Sequence, residues 1–176
     1  MKRTGLVLLL MVGTSVMCGL PAHAAPEFAV SVAGQIQGKF KGEGRKGFED
    51  KIMGLSFDQE VVSPRDVITG QAINKRSHKL IKIKKVWGPA SLQFVAAVTK
   101  NELLTVVMDF FVTDQSGMAV LDHTVKLTNA SVASYKTSSD VSTTAPQTDT
   151  IEFVFQQIEI TDHRGKGALI DNWIAP

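Results

Sequence analysis

The chain has 176 residues, 19 basic against 17 acidic, and a single cysteine. One cysteine excludes an internal disulfide and any metal site built on paired thiolates, so stability must come from an apolar core. A formal charge of +2 excludes the broad basic surface that displaces counterions from nucleic-acid phosphates.

The first 24 residues read as a secretory leader. Lys2 and Arg3 open it, Leu6 to Val12 is an unbroken apolar run, and Ala22-His23-Ala24 places small residues where a signal peptidase cuts. Gly13, Thr14 and Ser15 interrupt the run and Pro21 ends it, short of the roughly 18 apolar residues a membrane span prefers. A lipoprotein signal would need a small residue before Cys18, where Met17 stands. Cleavage after Ala24 is expected, leaving a single domain over 25–176 and an exported product, periplasmic or secreted, with no membrane attachment. The loss of Lys2, Arg3 and Cys18 leaves 17 basic and 17 acidic residues and no thiol. Formal neutrality removes the repulsion that keeps copies apart. A domain of this size buries about 68–70% of the surface its unfolded chain exposes, enough for a core without staples.

From Phe28 the chain alternates with period two, Phe28, Val30 and Val32 against Ala29, Ser31 and Ala33, which predicts a strand. A glycine-rich turn at Gly42 to Gly47 leads to a second strand over 52–62, with Leu55, Phe57 and Val61 on one face. Ser63 to Ser77 breaks the alternation and reads as a long loop; loops of that length in compact domains usually have a task. Lys79 to Val86 alternates again, Lys82 and Lys84 on a solvated face. Pro89 suits a first helical turn, and Ala90 to Thr99 reads as a helix with apolar residues around most of its circumference. Leu103 to Val112 is a strand with two apolar faces, both of which must be covered. Asp114 to Gly117 is a hairpin turn, and Met118 to Tyr135 forms one long strand or two with a bulge. A flexible loop is expected over 137–148. Ile151 to Ile160 closes the sheet, with a phase slip near Gln156-Gln157 that reads as a bulge. The fold class is mainly β: a small antiparallel barrel with one flanking α-helix. The helix and the strand after it carry more apolar surface than such a barrel covers, which points to an interface.

Chemical motifs weigh against catalysis. Gly42-Glu43-Gly44-Arg45-Lys46-Gly47 matches the G-x-G-x-x-G spacing, but no helix follows to meet a pyrophosphate, so it reads as a hairpin loop. His78, His123 and His163 are too far apart in sequence for a helical zinc site. Asp122 and His123 are adjacent in a strand, so alternation sends them to opposite faces and no simple dyad is expected. Asp58 and Glu60 share a face, a pairing open to glycoside chemistry, but such pairs are usually solvated. Asn129-Ala130-Ser131 fits a glycosylation acceptor but sits within a strand and reads as incidental. No catalytic residue, cofactor or metal is expected.

A series of matches runs through the chain in order: Ser63-Pro64-Arg65-Asp66, Thr69-Gly70-Gln71-Ala72, Lys75-Arg76 and His78-Lys79, then Ile81 and Ile83, the helix after Gly88, Thr124 to Ala130, Phe153 to Glu159, and Gly165 to Trp173. The series resembles the Hcp family, the haemolysin-coregulated tube proteins of type VI secretion systems. The resemblance implies a small barrel with a flanking helix, six copies in a ring and rings stacked into a tube, with effector proteins and other secretion-system components as partners. It also implies that the loop over 63–77 reaches toward neighbouring subunits. Arg65, Asp66, Lys75 and Arg76 of that loop, with Leu92, Phe94 and Val95 of the helix, are the expected subunit interface. The leader departs from the family pattern, in which tube proteins are loaded from the cytoplasm. Two readings from other classes remain: an exported binding module with the same fold, which would be a monomer with one ligand, and a secreted hydrolase, whose turnover would depend on one carboxylate or histidine. Intact-mass measurement of the exported product is expected to show a chain beginning at Ala25; a mass retaining residues 1–24 refutes cleavage.

Overall fold

The alternation that starts at Phe28 becomes strand β1 (Glu27–Gly34), whose Phe28, Val30 and Val32 enter the core. The computed structural model describes residues 27–140, 142 and 144–173, so the leader lies outside the described residues. After β1 come β2 (Gly38–Lys39), β3 (Ile52–Asp58), β4 (Val61–Val62), β5 (Ser77–His78), β6 (Ile81–Val86), α1 (Ser91–Lys100) and β7 (Leu104–Thr113). The chain ends with β8 (Ala119–Ser138), β9 (Thr148–Val154), β10 (Gln157–Asp162) and β11 (Gly167–Asn172). All pairings are antiparallel. The order β8-β7-β1-β3-β6-β9 returns to β8 and closes a six-stranded barrel. Closure pairs the main strands on both sides and removes free edges from the ring.

The 20-residue β8 serves two partners along one edge. Residues 131–138 pair with β9, which closes the barrel, while residues 123–128 pair with β10. The two partners keep one register, Val154 opposite Ser131 and Gln157 opposite Thr128. At Phe155-Gln156, however, the outer neighbour changes from β6 to β11, and β10–β11 leaves the barrel as a two-stranded extension. The phase slip expected here is present: Phe155 and Ile158 are buried and Gln156 is exposed. It arises from a strand break rather than a bulge, supported by the left-handed backbone of Asn129 and an Asn129 Nδ2 to Gln156 Oε1 hydrogen bond of 2.8 Å. The second expected strand also differs. Leu55 is the extra residue of a bulge in β3 and turns outward, and the strand stops before Val61, so Leu55 and Val61 do not join the core.

Helix α1 lies outside the ring against β8. Its inner face is narrower than the apolar pattern suggested: Ser91, Phe94 and Ala97 are buried, Phe94 edge-on to Phe40 at 5.1 Å and to Phe153 at 6.2 Å. Leu92, 67% exposed, and Val95 face out. Buried Glu102 ties the helix exit to the β1–β2 turn, accepting the Ile36 and Gln37 amides at 2.6 and 2.7 Å and Gln37 Nε2 at 2.6 Å. Burial opposes its ionisation, but these donors outweigh burial and hold the carboxyl below its ordinary range.

The other helix end rests on a buried ammonium. In β6 the inward phase runs Ile81, Ile83, Lys85, and Lys85 is fully buried. Its Nζ lies 3.1 Å from Glu43 Oε2, 3.0 Å from Ser91 Oγ, 2.7 Å from the Val86 carbonyl and 3.5 Å from Asp149 Oδ2. Ser91 Oγ also donates to Asp149 Oδ2 and accepts the Gly88 amide at 2.9 Å, and Glu43 Oε1 accepts the Ala90 amide at 2.8 Å. Tyr135 stands beside this group, its phenol pushed up by burial. The network joins the glycine-rich loop, β6, the helix start and β9. Lys85→Met leaves the buried Asp149 and the partly buried Glu43 without their cation and is expected to cost about 3–5 kcal/mol of unfolding free energy in urea titration. Adding Asp149→Asn is expected to recover part of the loss; no loss in the single variant would show the network to be dispensable.

Candidate assembly surface

The segment read as a loop is a built arm. Val61 and Val62 pair with His78 and Ser77 at its base, the Ile73 amide reaches the Pro64 carbonyl at 3.1 Å, and Arg65 bridges Ala72. At the tip Asp66 Oδ1 accepts the amides of Ile68 and Thr69 at 3.0 and 2.7 Å and the Thr69 hydroxyl at 2.9 Å. The Asp66 amide meets the Gln71 carbonyl at 2.9 Å, and Gly70 supplies the positive φ of 70° that closes the turn. The donors from Thr69 and Ile68 hold the Asp66 carboxyl below its usual range, so it is ionised at neutral pH. This turn presents Val67 and Ile68 at 98% and 91% exposure.

The base of the arm is clamped to the terminal strand. Arg76 Nε donates to Asp171 Oδ2 at 2.7 Å, Arg76 Nη2 donates to Asp171 Oδ1, and His78 Nε2 lies 3.0 Å from Asp171 Oδ2. His78 is buried between Phe155, edge-on at 5.3 Å, and Trp173, stacked at 6.3 Å; its Nδ1 has no hydrogen-bond partner among the described residues. The Arg76 fork holds the Asp171 carboxyl far below the ordinary carboxylate range, against the opposing effect of burial and with help from the Asn172 amide and His78. A carboxyl depressed in the folded state stabilises fully above its unfolded pKa of about 4, and that contribution falls progressively as pH drops from there through the folded value. Beside the clamp lies an apolar groove of about 460 Å³ between the arm base and β10–β11.

Of the expected interface residues, Arg65, Asp66, Lys75 and Arg76 all lie on the arm, and Leu92 and Val95 lie on the outer helix face. Phe94 is the correction: the helix turns it inward, and as a fully buried core residue it has no surface to offer a partner. The sequence reading missed Asp171 as the partner of Arg76 and His78. The strand that carries it is mostly exposed and shows no two-faced pattern, so its one inward carboxylate gave no signal.

The remaining chemistry is sparse. Asp122 and His123 do bond, Oδ2 to Nδ1 at 2.9 Å, contrary to the opposite-face expectation. β8 carries one extra residue between its pairs to Phe110 and Phe111, and that irregularity breaks the alternation. Arg164 Nη1 reaches the same carboxylate at 3.3 Å, and the His123 ring stacks on Phe110 at 4.3 Å. Asp58 and Glu60 line a shallow surface depression with Lys79, Lys82 and Glu152, where Lys82 pairs with Glu152 at 2.9 Å. In the glycine-rich loop Gly42 and Gly44 are needed because the backbone of residues 48–50 passes against them, leaving no room for a Cβ, and the next element in the chain is strand β3 rather than a helix. Among the described residues no group of three or more His, Cys, Asp and Glu side chains is placed to hold a metal, and no helix is long and apolar enough to cross a membrane.

The structure is a closed antiparallel barrel with one outer helix and a projecting arm. The family model for the type VI secretion system effector Hcp matches residues 31–161, and the chain belongs to that family. A protein of Pseudomonas aeruginosa named major exported protein is 36% identical over 93 residues, covering 52% of this chain and 54% of that protein; the match thus spans about half of the relative. Two solved structures share the fold. A crystal structure of an Hcp protein has a TM-score of 0.81 at 21% identity over 85% of this chain and 100% of the other. The secreted protein Hcp3 from Pseudomonas aeruginosa has a TM-score of 0.73 at 23% identity over 86% and 100%.

Asp171→Asn removes the charge that holds Arg76 and is expected to speed limited proteolysis within 63–77 while circular dichroism stays unchanged. Proteolysis equal to the parent would show that the clamp does not order the arm.

Proposed function

We propose that this chain is a structural subunit that assembles with copies of itself into a ring, six in number by analogy with the family, and that rings stack into a tube able to hold or carry effector proteins. The arm carries this reading: 15 residues built by internal hydrogen bonds hold two aliphatic side chains in open solvent. A folded monomer has no use for ordered apolar surface in water, whereas a partner surface does. The outer helix face with Leu92 and Val95 is a second patch, and Arg65, Asp66, Lys75 and Arg76 supply the charges that fix orientation. Removal of the leader after Ala24 would leave a formally neutral domain over 25–176 in which no long-range repulsion opposes contact. Export of that product, to the periplasm or beyond, belongs to the same proposal. The reading assigns the chain no catalytic step.

Light scattering at micromolar concentration is expected to report an oligomer, and negative-stain microscopy a ring. Leu92→Asp on the outer helix face is expected to weaken association tenfold or more with the fold intact. A clean monomer of the parent chain would overturn the proposal and favour an exported binding module.

A further inference from the structure

Among the described residues three polar ones are 0% exposed, Lys85, Ser91 and Asp149, and their side chains touch. Lys85 and Asp149 stand directly opposite each other where β6 pairs with β9. Each continues an inward apolar row, Lys85 after Ile81 and Ile83, Asp149 before Ile151 and Phe153. Their ends are already close, with Lys85 Nζ 3.5 Å from Asp149 Oδ2. Glu43 aims a second carboxylate at the same nitrogen, Oε2 at 3.1 Å. That carboxylate is held in place: its Oε1 accepts the Ala90 amide at 2.8 Å, and Gly88 leaves the space that a Cβ would take from Oε2. A hydroxyl also donates to each oxygen of Asp149, Ser91 Oγ to Oδ2 and Thr137 Oγ1 to Oδ1 at 2.9 Å. One carboxylate would suffice to pair with the ammonium. The second carboxylate and the two hydroxyls are the groups that a condensation between amine and carboxyl needs.

We propose that Lys85 and Asp149 react within the folded chain to form a side-chain amide, with Glu43 as the catalytic base. Ser91 Oγ, 3.0 Å from Nζ and donating to Oδ2, relays one proton from nitrogen to oxygen, which leaves an amine beside a neutral carboxyl. The amine lone pair attacks Asp149 Cγ and the C–N bond forms, while Thr137 Oγ1 steadies the charge that develops on Oδ1. Glu43 Oε2 takes the second proton from nitrogen and yields it to the departing Oδ2. The Cγ–Oδ2 bond then breaks and the oxygen leaves as water. An ammonium and a carboxylate become one amide and one water, Glu43 ends as it began, and nothing is oxidised or reduced. In water such a condensation is unfavourable because both ions are solvated; here it removes two charges from a buried site, and the reactants are already fixed in place. The bond spans a sequence separation of 64 and seals β6 to β9, so unfolding can no longer part the barrel at that seam. The ionic network guides the strands together first, and the amide then locks them.

Intact-mass measurement of the purified protein tests this, whatever its N-terminus. The chain is expected to be one water lighter than its sequence, and tandem mass spectrometry of a protease digest is expected to find a branched peptide in which Lys85 is joined to Asp149. Glu43→Gln keeps both reacting groups and removes the base; it is expected at full sequence mass, without the branched peptide and with the circular dichroism of the parent. A parent at full mass overturns the proposal, as does a loss of water that maps to any other position. A folded Glu43→Gln chain linked as completely as the parent overturns the role of Glu43. The mass of the parent decides the matter even where that variant fails to fold, and the assembly reading stands or falls separately.

Discussion

A single buried ammonium organises the barrel. Lys85 stands where the β6 alternation demands an apolar residue, and an isolated charge there would be prohibitive. It is tolerated because three segments distant in sequence bring oxygen to it: Glu43 from the glycine-rich loop, Ser91 from the first turn of the helix, and Asp149 from β9. The same contacts explain features that look unrelated. The helix begins without a conventional side-chain cap, and Glu43 takes the Ala90 amide instead. The glycine-rich loop folds tightly because its carboxylate must reach inward. β6 and β9 meet with Lys85 opposite Asp149, which fixes register where the barrel closes. A buried ion pair need not add net stability over a well-packed apolar pair, but it rejects arrangements that leave either charge alone.

The fold was legible wherever one force dominated. Period-two alternation in β1, β6 and β7, and the apolar density of the helix, gave the strand and helix positions because burial on one face is a strong constraint. Backbone irregularities were less visible. The bulge at Leu55 and the extra residue at Asp122 each reverse the faces that alternation assigns; Gly54 borders the first, and no glycine or proline marks the second. Near Gln156 the slip was readable, because Phe155 and Ile158 are both large and apolar; its cause, the left-handed Asn129 on the neighbouring strand, lies 27 residues away. Phe94 failed for a related reason. A helix with apolar residues around most of its circumference does not disclose which face turns inward, and only the positions of Phe40 and Phe153 settle it.

The candidate site was half legible. The charges of the arm and the oddity of its length were in the sequence, as was the resemblance that gave them meaning. The clamp was not. Arg76 and Asp171 are 95 residues apart, and the Ala168-Leu169-Ile170 run of β11 lacks the alternation of a half-buried strand because most of its residues lie in solvent. Pairing of that kind depends on the break at Phe155-Gln156: if β9 and β10 were one straight strand with one outer neighbour, β11 would have no place beside the arm. A local departure from regular geometry thus sets where the surface features meet.

Barrel closure has a further consequence for assembly. Its main strands have spent their backbone donors and acceptors on each other, so copies of the ring cannot join by adding strands to it. In the proposed assembly, contacts fall to features outside the ring: the arm, the outer helix face and the β10–β11 extension, whose strand β11 pairs on one side only. Polar ties hold the arm and the helix: Arg76 and His78 join the arm to Asp171 of the β10–β11 extension, Ser91 and Glu43 hold the helix start, and Glu102 joins the helix exit to the β1–β2 turn. Apolar packing alone is nondirectional and would let such appendages settle in many orientations. Charged hydrogen bonds at their bases restrict them before any partner arrives, which lowers the ordering entropy lost on contact. In the proposed assembly the apolar groups supply attraction and the charges at the bases of these features supply geometry.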